Sequence, residues 1–273
     1  MKKLAMSRAP GTVSKILWHF TGGPLWDDQR NKQGKELKPE EGAFDALRSI
    51  IATKELRVGA YQELFKVVIA KKRKYDRKIK EFITEVNVPV VVKSSNVCCI
   101  ADIPIQHLSY HSTRYGRIAI GFHRDAVVKA GFNPVMYSLE HSHLSNAIYE
   151  GYSALDDIDP FWAKSHLDDL SDQADIDDVA NQLDEIDWGH DQVRESYEKF
   201  LAFIKTFESD EFDSIYCERE WRSTSPFSFS VEDIAMIVLP RNSKGRNLYE
   251  EYLSETDLPS TVSIVCWEDL IEH

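Results

Sequence analysis

The sequence predicts an α+β fold, a compact mixed sheet interrupted by an acidic helical insertion. Three observations predict it. Short β-branched or apolar runs recur at 16–21, 88–92, 97–100, 117–122, 134–138, 212–221, 234–239 and 262–267. Apolar residues at helical spacing separate the first of these, at Phe44, Leu47, Ile50, Ile51 and Leu56. Residues 140–207 then break the strand pattern with Asp clusters and helical spacing at Val179, Leu183 and Ile186, and again at Tyr197, Phe200 and Ile204.

Taken in order, Ile16-Leu17-Trp18-His19-Phe20-Thr21 reads as a short buried strand closed by the Gly22-Gly23-Pro24 turn. The polar stretch to Pro39 reads as a loop, and the amphipathic helix after it stops near Gly59. Residues 61–85 read as a second helix with a basic face. Gln106–Tyr115 and Arg124–Ala130 read as short helices on either side of the strand Arg117–Phe122. The expected organisation is a single domain over 1–273 with the acidic helical insertion at 140–207 inside it.

A chain of 273 residues can bury a substantial core. It contains no apolar run of the ~18 residues a membrane span needs. The opening Met1-Lys2-Lys3-Leu4 lacks the apolar stretch of a signal peptide, so a cytoplasmic protein with no membrane partner is expected. Cys98, Cys99, Cys217 and Cys266 show neither a disulfide framework nor zinc spacing. The net charge of −12 is unevenly spread. Residues 140–198 hold 17 acids against Lys164 and Arg194 alone. Residues 66–80 hold Lys66, Lys71, Lys72, Arg73, Lys74, Arg77, Lys78 and Lys80 against Asp76, so a nucleic-acid partner is not excluded by overall acidity.

Glu218-Arg219-Glu220-Trp221-Arg222 carries the strongest chemical signal. Two carboxylates two residues apart in an extended segment face one side. Either they act together, or they are solvent-facing residues paired with Arg219 and Arg222. His19 is either a structural strand residue or a ligand contact beside glycines that let a ligand approach the backbone. In the segment 106–117, Ser109, Tyr110, Arg114 and Tyr115 suit an anionic dinucleotide, with Arg for pyrophosphate and Tyr for a ring face. The alternative is a polar helix leading into a strand. Lys71, Lys72, Arg73 and Lys74, interleaved with Tyr61, Phe65 and Tyr75, suit a phosphate backbone. They equally suit a solvated helix face, or docking onto the acidic insertion. His141-x-His143 and the His107/His111 pair offer metal ligands, but no His-Glu-x-x-His occurs and no metal is expected. No Gly-x-Gly-x-x-Gly or Walker sequence is present.

Four blocks, Val97–Ile105, Tyr115–Phe122, Gly131–Tyr137 and Glu218–Arg222, resemble in the same order the AbiGi-type abortive-infection family of bacterial phage-resistance proteins. The resemblance runs from residue 16 to 240 and leaves out the acidic insertion. The family is labelled as one half of a toxin–antitoxin pair, which leaves open which half this chain is. More loosely, the layout is similar to toxin ADP-ribosyltransferases acting on nucleic acid: an opening His-x-Thr strand, a helix, and a late strand with a catalytic Glu. That likeness implies an ADP-ribosyltransferase-like sheet, NAD as substrate, and Glu220 and Glu218 as catalytic acids. It places His19, Thr21, Ser109, Tyr110, Arg114 and Tyr115 around NAD. A clear Ser-Thr-Ser in the middle strand is missing.

The function implied is a phage-defence effector transferring ADP-ribose to a nucleic acid, RNA favoured, across Lys71–Lys74, with a cognate antitoxin as a further partner. The alternative is a non-enzymatic antitoxin or binding module that keeps the fold and lacks the chemistry.

Overall fold

The computed structural model describes residues 14–27, 32–76, 78–79, 81–140, 142–156, 189, 191–208 and 218–271. Its contacts divide the chain into two compact units. Unit 1 comprises Met1–Gly59, Cys98–Pro134 and Cys217–His273, and unit 2 comprises Ala60–Val97 and Val135–Tyr216. Both combine strands with helices, and unit 1 holds a large mixed sheet, as the apolar runs predict.

Seven strands form that sheet: β1 (Ile16–Phe20), β7 (Cys98–Ala101), β8 (Ala119–His123), β9 (Asn133–Pro134), β12 (Glu220–Ser223), β14 (Ile234–Leu239) and β15 (Ser263–Cys266). Their order is β15-β14-β8-β1-β7-β12-β9. Only β14 and β15 run parallel. Alternation along the strands sorts the side chains onto two faces. Leu17, Ile120, Phe122, Ile100, Ile237 and Leu239 share one core with Phe44 and Leu47 of helix α1 (Glu40–Thr53) and with Phe227 and Phe229. Trp18, Ala119 and Val238 point the other way, onto Ile103, Trp267 and Leu108 of helix α2 (Leu108–Tyr115). Gly121 is required by this packing: a Cβ there would lie 2.5 Å from Ile16 Cγ2 and 2.9 Å from Trp18 Cζ3.

The remaining elements of unit 1 are peripheral. β2 (Pro24–Asp27) pairs with β3 (Lys32–Leu37), where a loop is expected from the polar composition. β4 (Glu55–Leu56) pairs with β13 (Phe227–Ser228) after Lys54 closes α1 in the left-handed region. Helix α3 (Arg124–Lys129) follows β8 directly. Helices α6 (Leu248–Glu255) and α7 (Trp267–Ile271) flank β15, and the pattern of apolar residues does not announce them.

Unit 2 corrects the sequence reading most. None of the described residues of 61–85 is helical: Leu64–Asp76 (β5) and Glu81–Lys93 (β6) pair as an antiparallel hairpin. The β-branched run Val67-Val68-Ile69 and the valines of β6 fit a pleated surface better than a helix, outweighing the helix-compatible Lys and Arg between them. Lys71, Lys72, Arg73 and Lys74 are therefore strand residues, not a basic helix face. Phe65 and Val92 at the open end of the hairpin are buried with Ile148, Leu201 and Ile204. Ile148 comes from helix α4 (His143–Asp156), and Leu201 from a helix α5 over 191–201. Strand β10 (Met136–Leu139) runs parallel to β11 (Ile204–Phe207), so Ile204 lies in a strand and not in the helix its spacing suggests. Val179, Leu183, Ile186 and His141 lie outside the described residues.

Candidate functional site

Strand β1 and helix α2 meet at a pair of glycines. A Cβ on Gly22 would sit 3.0 Å from the Tyr115 carbonyl oxygen, and Gly116 has a φ of +78° that disfavours any side chain. This close approach brings Phe20 against His111 and Tyr115, with ring centroids 6.2 and 6.0 Å away. It also holds the end of α2 over Glu218. Arg114 Nη1 donates to Glu218 Oε1 at 2.7 Å, and the Tyr115 hydroxyl donates to the same oxygen at 3.0 Å. Glu218 is almost fully buried, so this is a shielded, charge-assisted contact and not a surface pair. Three residues named from the sequence, Arg114, Tyr115 and Glu218, are thus brought together. Ser109 and Tyr110 sit on the exposed side of α2, with Tyr110 edge-on to His111.

His111 is buried with its ring stacked near Tyr115, and neither nitrogen has a hydrogen-bond partner of standard geometry among the described residues. Burial, helped by the Arg114 charge and opposed by the nearby Glu218 backbone, pushes its pKa down to about 4. It is a neutral ring at pH 7.

Glu218 and Glu220 do not form a same-face pair. Arg219 between them has a φ of +43°, so the backbone turns before β12 begins at Glu220. The extended spacing assumed from the sequence is broken there, and each acid has its own partner. Glu220 Oε2 accepts from Arg222 Nη2 at 2.8 Å, and the Arg222 side chain is 0 % exposed against 11 % for Glu220. Cys99 pairs across the ladder with Arg222. Its thiol pKa is pushed well up by burial, then by the Glu220 charge and its hydrogen bond to Glu220. Arg219 is fixed from the other side by Asp102, which the sequence reading missed although Asp-Ile-Pro follows the strand. The Asp102 N–H donates to the Arg219 carbonyl at 3.0 Å. Asp102 Oδ2 accepts from Arg219 Nη2 at 3.1 Å and from Arg124 Nη2 at 2.8 Å.

His19 lies elsewhere. Trp18 pairs with Ala101, which pairs with Glu220, so Trp18 and Glu220 share one face and His19 takes the other. Its Nδ1 donates to the Cys99 carbonyl at 3.0 Å, leaving Nε2 as an acceptor. Burial lowers its pKa, the bond to Cys99 resists the shift, and Lys38 adds to it. With Thr21, Lys38, Ser49, Thr53 and Arg57 it lines a cleft of about 480 Å³. The structure therefore separates His19 and Thr21 from Glu220. Lys71–Lys74 belong to unit 2. Among the described residues no three His, Cys, Asp or Glu side chains form a metal-binding group, and no helix is long and apolar enough to cross a membrane.

The family model "Putative abortive phage resistance protein AbiGi, antitoxin" matches residues 62–256, which take in the hairpin, α2, β7 and the Glu218–Arg222 block. The chain belongs to the AbiGi family. The match links this AbiGi chain to abortive-infection phage defence, and the family's description carries the antitoxin half of the pair. No curated protein and no solved structure matches it.

Proposed function

We propose that this AbiGi protein is a non-enzymatic, partner-binding antitoxin of an abortive-infection system. The observation that supports this is the engagement of both acids. Glu218 is held by Arg114 and Tyr115, Glu220 by the buried Arg222, and His19 faces the opposite side of the sheet. Side chains so placed rigidify the ends of α2, β7 and β12; they do not converge on a common reacting atom. The test incubates the purified chain with labelled NAD and total RNA, DNA and protein, in parallel with co-expression beside the candidate toxin. The expected result is no NAD turnover and relief of toxicity. NAD turnover that disappears in Glu220→Gln while the variant keeps wild-type stability would overturn the proposal.

A second reading is favoured by the cleft at His19. There a hydrogen-bond acceptor stands with Lys38 and Arg57, which suits a ligand carrying both a hydroxyl and an anionic group. In this reading the chain is a transferase of ADP-ribose from NAD to RNA, with NAD in that cleft. Calorimetric titration of NAD into wild type and His19→Ala separates the two. Binding that weakens in the folded variant favours the transferase.

A further inference from the structure

Both strands of the β5–β6 hairpin are 13 residues long, and among the described residues it is the open end that is rooted in a core. Two strands alone are marginal in water, and length beyond the root needs a reason. Beyond Phe65 and Val92 the hairpin carries a recurring arrangement. Lys66 stands directly across from Val91, and Lys71 directly across from Val86. All four are exposed, with Val86 at 63 % and Val91 at 52 %, and Val68 between them at 65 %. The two Lys–Val pairs lie on either side of Asn87, where a φ of +52° interrupts the regular alternation of β6. Each pair sets exposed β-branched apolar surface beside a cation.

Three occupants compete for such a surface. Edge-to-edge pairing with a second copy is disfavoured: β5 brings a run of like charge and β6 contains Pro89, both devices that blunt a strand edge. A nucleic acid would satisfy the lysines, and Phe82, 47 % exposed toward the closed end, offers one ring, but the apolar residues beside Lys66 and Lys71 are the aliphatic Val68, Val86 and Val91, on which no base stacks. A protein with apolar side chains ringed by carboxylates satisfies both kinds of residue at once.

We propose that the β5–β6 hairpin is the docking arm of this protein, gripped on its faces by an acidic, apolar-centred surface of the partner toxin. The proposal rests on the antitoxin reading above and names the surface that carries it.

The experiment uses the full chain and the product of the gene adjoining its own, with binding measured at low and high salt. The variants are Val86→Asp and Val91→Asp, each placing the new acid across from a lysine, so the free hairpin gains a cross-strand ion pair and keeps its fold. Val86→Thr is the uncharged control for strand propensity. Each Asp variant is expected to weaken the complex by about tenfold or more, as loss of an anchoring contact does. Melting of the free protein should stay unchanged, and Val86→Thr should lie between. A complex that forms with unchanged affinity in both Asp variants overturns the docking arm and leaves the antitoxin reading standing. No complex with wild type overturns both. Tighter binding to a short single-stranded RNA, with the steep salt dependence of phosphate contacts and equal sensitivity to the Asp variants, assigns the arm to nucleic acid instead.

Discussion

Replacing Glu220 by Gln keeps the shape of the side chain and removes one charge from a pair shielded by β7 and β12. Arg222 is 0 % exposed and donates to Glu220 at 2.8 Å, so the variant takes the Glu220 charge away from a buried guanidinium. Breaking a buried pair from one side costs about 3–5 kcal/mol, because the remaining ion has lost its solvation and its partner. The Gln oxygen still accepts a hydrogen bond, and the Cys99 thiol no longer faces a carboxylate, so the lower end, about 3 kcal/mol, is expected. Urea unfolding followed by circular dichroism measures it as a lowered midpoint at unchanged slope. The double variant Glu220→Gln/Arg222→Met removes both charges and should recover most of the loss, a coupling that a double-mutant cycle isolates. If Glu220→Gln alone unfolds at the wild-type midpoint, Glu220 is not spent on the structure. Such a result refutes a purely structural role for Glu220.

Two further outcomes are expected. His111 has a folded pKa of about 4 against 6.5 when unfolded, so above pH 6.5 it contributes nothing to the pH dependence and below it the unfolded chain takes up the proton first. Stability should therefore fall as pH drops from 6.5 toward 4, by about 3 kcal/mol from this ring, with His19 adding in the same direction; pH-dependent urea melts of His111→Phe should show a shallower slope. Gly121→Ala places a Cβ within 2.5 Å of Ile16 Cγ2 and 2.9 Å of Trp18 Cζ3. It should lower stability by about 1–3 kcal/mol through overpacking, and a midpoint within error of wild type would contradict the packing described.

Much of the large sheet is legible in the sequence because its strands are short, apolar and separated by Gly or Pro. The hairpin is not, and the reason is local. Lys71–Lys74 and Arg77–Lys80 are residues with good helix propensity, and they hide the alternation that Val67-Val68-Ile69 and Phe82-Ile83-Thr84 would otherwise display. Pairing over the full length of two strands outweighs that preference. At the candidate site the chemistry of Arg114, Tyr115 and Glu218 could be picked out, but their meeting depends on Gly22 against Gly116, a contact between distant parts of the chain. The separation of Glu218 from Glu220 could not be read at all. An arginine seldom takes a φ of +43°, and Arg219 does so where Asp102 binds both its backbone and its guanidinium.

The charge layout of unit 2 adds a directional constraint to the docking arm. The root of the hairpin packs on Ile148 of α4 and Leu201 of α5, helices that carry Glu150, Asp156, Asp191, Glu195 and Glu198 against Arg194 and Lys199. The lysines lie on the strands that lead away from that root. To an acidic partner, the described part of the unit therefore offers attraction along the arm and repulsion from the helices at its root. An acidic partner lowers its energy by engaging the arm, and a basic polymer is turned away from it. The net charge of −12 is thus no guide to partner choice. The sign that matters is the local one, where Lys66 and Lys71 stand beside Val91 and Val86.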